Sequence, residues 1–329
     1  MKKLTNPISE LTNVFEDGAT QIPFRQLLDR DYLTAILQNL RKEMGAQFFA
    51  IDFYIFSTQQ FVTNQLPVSA FLTTDKPKVL LFFGEEYASI PIPLTRHYLA
   101  IFKCYLPHDK REDNLYPLPL PHHTDYYEGE IKYWEDRSTN VFFSGQMTPA
   151  RYMGLYRGIS PLRFVPSTFQ LRLPTKATKW MGQNCSRHFP NSLIHFTSEY
   201  RTGFSKEEYR NHFQNSKIAL CPKGQFTAET TRHFEAAASG CIVISEKLPD
   251  THLYRNAPFI QLNNWRREVS IIHELLKNPT HQLTLHHQVI NWYKTNYHPY
   301  AVGKYMAKKI VRQFYRQNIV KKTSDNPQS

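Results

Sequence analysis

Apolar positions along the chain fall into short blocks separated by helical spacing. Residues 78–83, Lys-Val-Leu-Leu-Phe-Phe, run apolar to a stop at Gly84, the pattern of a strand covered on both faces. Similar runs at 141–143, 193–196, 218–221, 241–244 and 259–262 predict further buried strands. Helical patterning predicts helices around 24–44, 269–276, 283–293 and 300–320. Strands alternating with helices in both halves predict an α/β chain built on parallel sheets with helices on both faces. The stretch 116–121, Tyr-Pro-Leu-Pro-Leu-Pro, cannot be a central strand for long, because proline donates nothing to a ladder. It reads as a rigid connection, with a polyproline recognition segment as the alternative. The expected division is a first domain over 1–138 and a second over 139–329, with a disordered polar tail at 321–329.

At 329 residues and 41% hydrophobic content the chain can bury two ordinary cores. The longest apolar run falls far short of the roughly 20 residues of a membrane helix. Lys2 and Lys3 are followed by Asn6, Pro7, Ser9 and Glu10 rather than an apolar signal core, so a cytoplasmic protein is expected. Cys104, Cys185, Cys221 and Cys241 lack paired metal spacing and read as reduced core residues. Fourteen histidines include the adjacent pairs His122-His123 and His286-His287 but no metal signature. Neither metal nor other cofactor is expected.

A formal charge of +12 implies a polyanionic partner: nucleotide diphosphate, anionic lipid or nucleic acid. Lys304, Lys308, Arg312 and Arg316 recur every four residues on one side of the last helix, with Met306, Ile310 and Phe314 on another. The stripe is either a solvated face or a peripheral contact with an anionic membrane, at its inner face for a cytoplasmic protein.

The densest information lies in 216–245, S-K-I-A-L-C-P-K-G-Q-F-T-A-E-T-T-R-H-F-E-A-A-A-S-G-C-I-V-I-S. It reads as strand, loop, helix, glycine stop and second strand. Pro222 and Gly224 end the first strand, the helix starts near Glu229 with Thr227 or Thr230 as cap, and Gly240 closes it. Ligands of α/β layers bind beyond the carboxyl ends of parallel strands, where N–H groups at a helix start face an anion. Lys223 and Arg232 add positive charge at that edge.

The order S-K-(apolar)-C-P-K-G, then T-x-R-x-x-E-A with G-C-I-V following, resembles the donor-binding half of exostosin-like glycosyltransferases. The likeness covers residues 201–265, with an echo in Val141-Phe142-Phe143-Ser144-Gly145. It implies a GT-B-like fold, two Rossmann-like domains with parallel sheets facing a cleft, the first on the acceptor side and the second binding a nucleotide sugar. The chain departs from the family at Val243, where a proline is usual, and lacks the membrane anchor of eukaryotic members. Donor identity therefore does not transfer.

Glycosyl transfer needs a bound sugar nucleotide, stabilisation of the departing diphosphate and, for inversion, a base for the acceptor hydroxyl. Arg232 is the expected diphosphate clamp, with Lys223 second and Gly224 in the same loop. Thr230, Thr231 and the Ser144-Gly145 turn are expected to add hydroxyl or amide contacts. Glu235, on the same helix face, either accepts the ribose hydroxyls or pairs with Arg232. Glu85 and Glu86, directly after the strand at 78–83, are the candidates for the base, with His97 and Asp75 in reserve; capping or a solvated turn is the alternative for each. Retaining GT-B enzymes often carry two glutamates eight positions apart; here Glu235 finds Val243 and Glu229 finds Ala237, which favours inversion.

The expectation is an inverting, metal-independent glycosyltransferase extending a cell-surface glycan or glycolipid, UDP-sugar being the favoured donor. The alternatives are a GDP-sugar fucosyltransferase-like enzyme, a glycan-binding relative without activity, and a basic nucleic-acid-binding protein. Against the last, the aromatics sit mainly in apolar strand runs and no nucleic-acid motif is present.

Overall fold

The structure, a computed structural model, describes residues 5, 8–24, 30–58, 66–108, 113–122, 129–160, 174–199 and 202–324, with side chains to 316. The chain forms two compact units. One comprises 1–123, 250–253 and 296–329, the other 124–249 and 254–295.

In the first unit β1 (Val14–Glu16), α1 (Arg30–Met44), β2 (Asp52–Ser57), β3 (Lys78–Phe83), β4 (Ala100–Lys103) and β5 (Leu115–Pro117) follow in chain order. The strands pair in parallel in the order β1-β2-β3-β4-β5, so the sheet steps in one direction and has no switch point. Strand residues alternate between two buried faces. Tyr54, Phe56, Leu80, Phe82 and Ile101 share one core with the short turns at Val68–Phe71 and Ile92–His97. On the other face Phe53 stacks on Phe48 and Phe102 meets Tyr305 edge-on. Pro117 is tolerated in β5 because that strand is the sheet's edge. Helix α1 buries Tyr32, Leu33, Ile36, Leu37, Leu40 and Met44 on one stripe and ends at Gly45, whose φ of +58° is the left-handed stop that glycine adopts most readily.

The second unit continues with β6 (Thr139–Gln146), α2 (Thr175–Ser186), β7 (Leu193–Thr197), α3 (Lys206–Gln214), β8 (Ser216–Cys221), α4 (Thr231–Ala238), β9 (Ile242–Glu246), β10 (Ile260–Leu262), α5 (Ser270–Leu276) and α6 (Pro279–Asn296). Its strands are also all parallel, in the order β10-β9-β8-β6-β7. The direction of winding reverses between β6 and β8, which makes that crevice the switch point of a doubly wound sheet. Val141, Phe143, Ile218, Leu220, Ile242 and Ile244 form one core face. On the other, Phe142 meets Phe213 of α3 edge-on.

The expected class, α/β with two units on parallel sheets, is the one observed. The boundary differs. Helix α7 (Pro299–Ser324) packs on the first unit rather than the second, and 124–138 belongs to the second. Its buried side, Val302, Met306 and Ile310, requires an apolar surface, and α1 supplies it at close range. A Cβ at Gly303 would lie 2.8 Å from Leu40 N. The helix runs to Ser324, four residues into the segment expected to be a disordered tail; 325–329 lie outside the described residues. Helix α2 lies beyond residues 161–173, which are also outside them.

Candidate functional site

Ser144, Gly145 and Gln146 are the last residues of β6, still paired with β7 rather than forming the turn expected there, and beyond β8 a loop leads into α4. Thr230 is the extended N-cap of that helix, so it begins at Thr231, slightly later than the sequence pattern implies. His233 turns Nδ1 back onto Thr230, 3.0 Å from the carbonyl oxygen. Burial, with the charge of Arg232, holds its pKa down at about 4 against that hydrogen bond. The imidazole is therefore neutral at pH 7.

Arg232, in the first turn of α4, reaches across the switch point. Its Nη2 donates to the Ser144 carbonyl at 2.8 Å, its Nε to the Tyr209 hydroxyl at 3.2 Å, and its guanidinium carbon lies 4.8 Å from the centre of the Phe143 ring. Nη1 is buried with no hydrogen-bond partner among the described residues. Arg151 approaches the same ring, its guanidinium carbon 5.9 Å from the centre, while Nη1 donates to the Gln146 carbonyl at 2.8 Å. Both arginines close on Gly145. A Cβ there would stand 2.7 Å from Arg232 Nη2 and 3.3 Å from Arg151 Nη1, so only glycine leaves room for this convergence. Two guanidinium groups around one strand end, beside a helix start, make a site suited to an anion.

Of the expected donor residues, the fold brings Ser144, Gly145 and Arg232 into contact. Ser144 Oγ lies 3.3 Å from His195 Nδ1, and burial, then the charges of His212 and Lys179, lower the His195 pKa. Glu235 is buried, and its charge acts on Arg232 and Tyr209. Thr230 and Thr231 stand at the helix start, partly exposed. Lys223 is exposed, and its backbone N–H donates to Glu246 Oε2 at 2.7 Å; the other oxygen of Glu246 accepts from the Trp265 indole at 2.6 Å. Gly224 closes a turn by donating to the Thr227 carbonyl at 2.8 Å. A Cβ on it would make only ordinary contacts, at 3.5 and 3.6 Å, so the position does not demand glycine.

Sequence reasoning missed Arg151, His195 and Tyr209. A signal for Arg151 was present: Thr148 caps a helical turn with Pro149 at its first position, and its hydroxyl accepts from Arg151 N at 3.2 Å. That puts Arg151 in a first turn after a strand, as Arg232 is. Nothing in the spacing marked His195 or Tyr209, which arrive on β7 and α3 through the sheet order.

In the first unit, Gly84 follows β3 with φ +82° and a Cβ position 2.8 Å from the Thr58 carbonyl, so glycine is required. Glu85 turns inward. Its Oε2 accepts from Lys103 Nζ at 2.9 Å and from the Ser89 N–H at 3.0 Å, and the two side chains are 1% and 0% exposed. A carboxylate held in a buried ion pair cannot meet an acceptor at the surface, which corrects the expectation that Glu85 serves as base. Glu86 is half-exposed at the same carboxyl edge. Asp75 and His97 lie before β3 and β4, at the amino ends of their strands, the edge opposite Glu86. Among the described residues no group of three His, Cys, Asp or Glu side chains is placed to hold a metal ion. His123 lies outside them. No helix among them is long and apolar enough to cross a membrane.

No family model matches the chain, and no curated protein sequence matches it. Similar layouts occur among solved structures. A glycosyltransferase from Rickettsia africae aligns over 84% of this chain and 81% of its own, at 14% identity and a TM-score of 0.47. A UDP-forming α,α-trehalose-phosphate synthase from Burkholderia xenovorans aligns over 89% and 83%, at 9% identity and 0.48. T4 phage BGT in complex with its UDP-glucose substrate aligns over 91% and 97%, at 11% identity and 0.46. None of these likenesses carries an activity over to this chain.

Proposed function

We propose that the chain is a glycosyltransferase that moves a sugar from a nucleotide-diphosphate sugar to a glycan or glycolipid acceptor, in the manner of the exostosin-like enzymes its 201–265 segment resembles. The observation that carries this reading is the convergence of Arg232 and Arg151 on Gly145 at the switch point between β6 and β8. A doubly wound sheet takes its ligand in that crevice, and two guanidinium groups match the oxygens of a diphosphate.

In this reading the donor's diphosphate lies against the end of β6 at Gly145 and the start of α4. As the acceptor oxygen bonds to the anomeric carbon, the bond from that carbon to the diphosphate oxygen breaks, and the charge left on the diphosphate is taken up by Arg232 and Arg151. The acceptor's proton goes to a carboxylate base, for which Glu86 is the candidate, and the single displacement inverts the anomeric carbon with no metal required for the leaving group. Phe143 and the buried wall beneath the arginines keep the local dielectric low, which strengthens the charge contacts. UDP-sugar is the favoured donor and GDP-sugar the alternative, with polysaccharide or glycolipid synthesis as the process served.

The test is a thermal-shift panel of UDP, GDP, CMP and dTDP, with their sugar conjugates, in the presence of a chelator. A ligand that binds only the folded state raises its melting temperature, and one nucleoside diphosphate is expected to do so. No shift with any of them, together with a shift by polynucleotide, would overturn the reading in favour of nucleic-acid binding.

A further inference from the structure

Helix α7 shows two chemically distinct sides. Val302, Met306, Ile310 and Gln313 are buried on one. Opposite them, at helical spacing, Tyr300, Lys304, Lys308, Arg312 and Tyr315 face outward. The tyrosines are 49% and 67% exposed. No acidic residue occurs between Pro299 and Ser324.

Among the described side chains, two further cations of the helix have partners within the protein. Arg316 pairs with Asp113 at 3.3 Å, and the Lys309 ammonium lies over the rings of Tyr116 and Tyr305 at 5.1 and 5.5 Å. Among the described side chains the outward set is thus three cations bracketed by two tyrosines along about 22 Å of helix. A merely solvated face has no need of exposed rings at both ends, nor of a total lack of counter-charge within the helix.

We propose that this face of α7 is a docking surface for an anionic lipid bilayer. The three cations meet the headgroup phosphates and carboxylates, while Tyr300 and Tyr315 seat their rings at the headgroup level, where amphipathic aromatics settle. Charge complementarity commits the occupant to an anionic surface. The flanking tyrosines suit the headgroup level, and a convex helix face offers no groove of the kind that holds a polynucleotide strand. The surface is separate from the anion site at Gly145 and does not depend on the function proposed for that site.

The experiment is co-sedimentation of the full chain with phosphatidylcholine vesicles, with and without about one third phosphatidylserine. Binding is expected only with the anionic lipid and is expected to weaken as salt rises. Replacing Lys304, Lys308 and Arg312 together by glutamine is expected to lower the partition coefficient on the order of a hundredfold, at roughly a factor of five per charge. Tyr300→Ser with Tyr315→Ser is expected to weaken the residual binding that persists in high salt. A control set in the second unit, Arg266→Gln, Arg267→Gln and Lys277→Gln, is expected to bind as the wild type does. Circular dichroism checks that each variant is folded.

The proposal falls if the chain ignores anionic vesicles, if the triple variant binds them as before, or if the control set loses as much. It falls equally if what the triple variant loses is affinity for a single-stranded oligonucleotide and not for vesicles.

Discussion

Arg232 Nη2 and the carbonyl oxygen of Ser144 are 2.8 Å apart although 88 residues separate them in the chain. This hydrogen bond fastens the first turn of α4 to the end of β6 across the switch point. A bond of this kind, with a charged donor, contributes about 1.5–3 kcal/mol. The same side chain leaves Nη1 without a partner among the described residues, so the geometry that stabilises the crevice also arms it.

Arg232→Ala is therefore expected to have two measurable effects. The melting temperature falls, because the Ser144 carbonyl and the Tyr209 hydroxyl both lose their donor. Nucleotide affinity falls by on the order of tenfold or more, since a charge-assisted contact is lost. Arg232→Lys keeps the charge but has no planar fork to reach both sides, so calorimetry is expected to find it nearer to alanine than to the wild type. Unchanged nucleotide affinity in both variants would make the arginine a structural tie only.

The two glycines expected to contact donor separate cleanly. Gly145→Ala drives a methyl into Arg232 Nη2 at 2.7 Å, so nucleotide binding is expected to weaken at least tenfold with a modest loss of stability, about 1–3 kcal/mol. Gly224→Ala meets nothing closer than 3.5 Å and is expected to bind nucleotide as the wild type does. Equal behaviour of the two in a titration would show that the arginines do not set the affinity.

Adjacent glutamates after β3 are expected to fail in different assays. Glu85→Gln strands the fully buried Lys103 ammonium and is expected to cost about 3–5 kcal/mol in denaturant unfolding. Replacing both partners, Glu85→Met with Lys103→Met, is expected to restore most of it. Glu86→Gln is expected to lower turnover by on the order of a hundredfold at constant donor affinity, as removal of the group that takes the acceptor proton requires. Normal turnover in Glu86→Gln would move the base elsewhere.

Stability is expected to fall with acid before the carboxylates titrate. His233 and His286 are each held down at about 4 chiefly by burial, against 6.5 for the free side chain. Between those values the unfolded chain binds protons that the folded chain refuses, so stability rises with pH across the window and is complete above 6.5. The denaturant midpoint is expected to drop between pH 7 and pH 4.5, and His233→Gln is expected to flatten that slope. A midpoint independent of pH over this range would mean that both imidazoles can charge without unfolding.

Much of this was legible in the chain itself. The apolar run at 78–83, the glycine stop at Gly240 and the strand runs at 218–221 and 241–244 name their elements, because a buried strand must be apolar on both faces and a helix ends most readily at a residue that accepts positive φ. The same local rules place Arg232 at a helix start following a strand, and hence at a strand's carboxyl edge. Sequence by itself thus determines the α/β class, the parallel sheets and one arm of the anion site.

Partnership between distant segments was decided only by the tertiary structure. That β6 lies beside β8 with β7 outside it depends on how the two sheet faces are covered, and this order is what sets Ser144 against Arg232 and adds Arg151, His195 and Tyr209. Glu85 and Glu86 are indistinguishable in sequence, yet burial of Lys103 on β4 draws one inward and leaves the other half-exposed. Helix α7 shows an apolar stripe in its sequence, but a stripe demands only some apolar surface. The close approach at Gly303 gives it to α1, because the free energy of burial depends on fit and not on nearness along the chain.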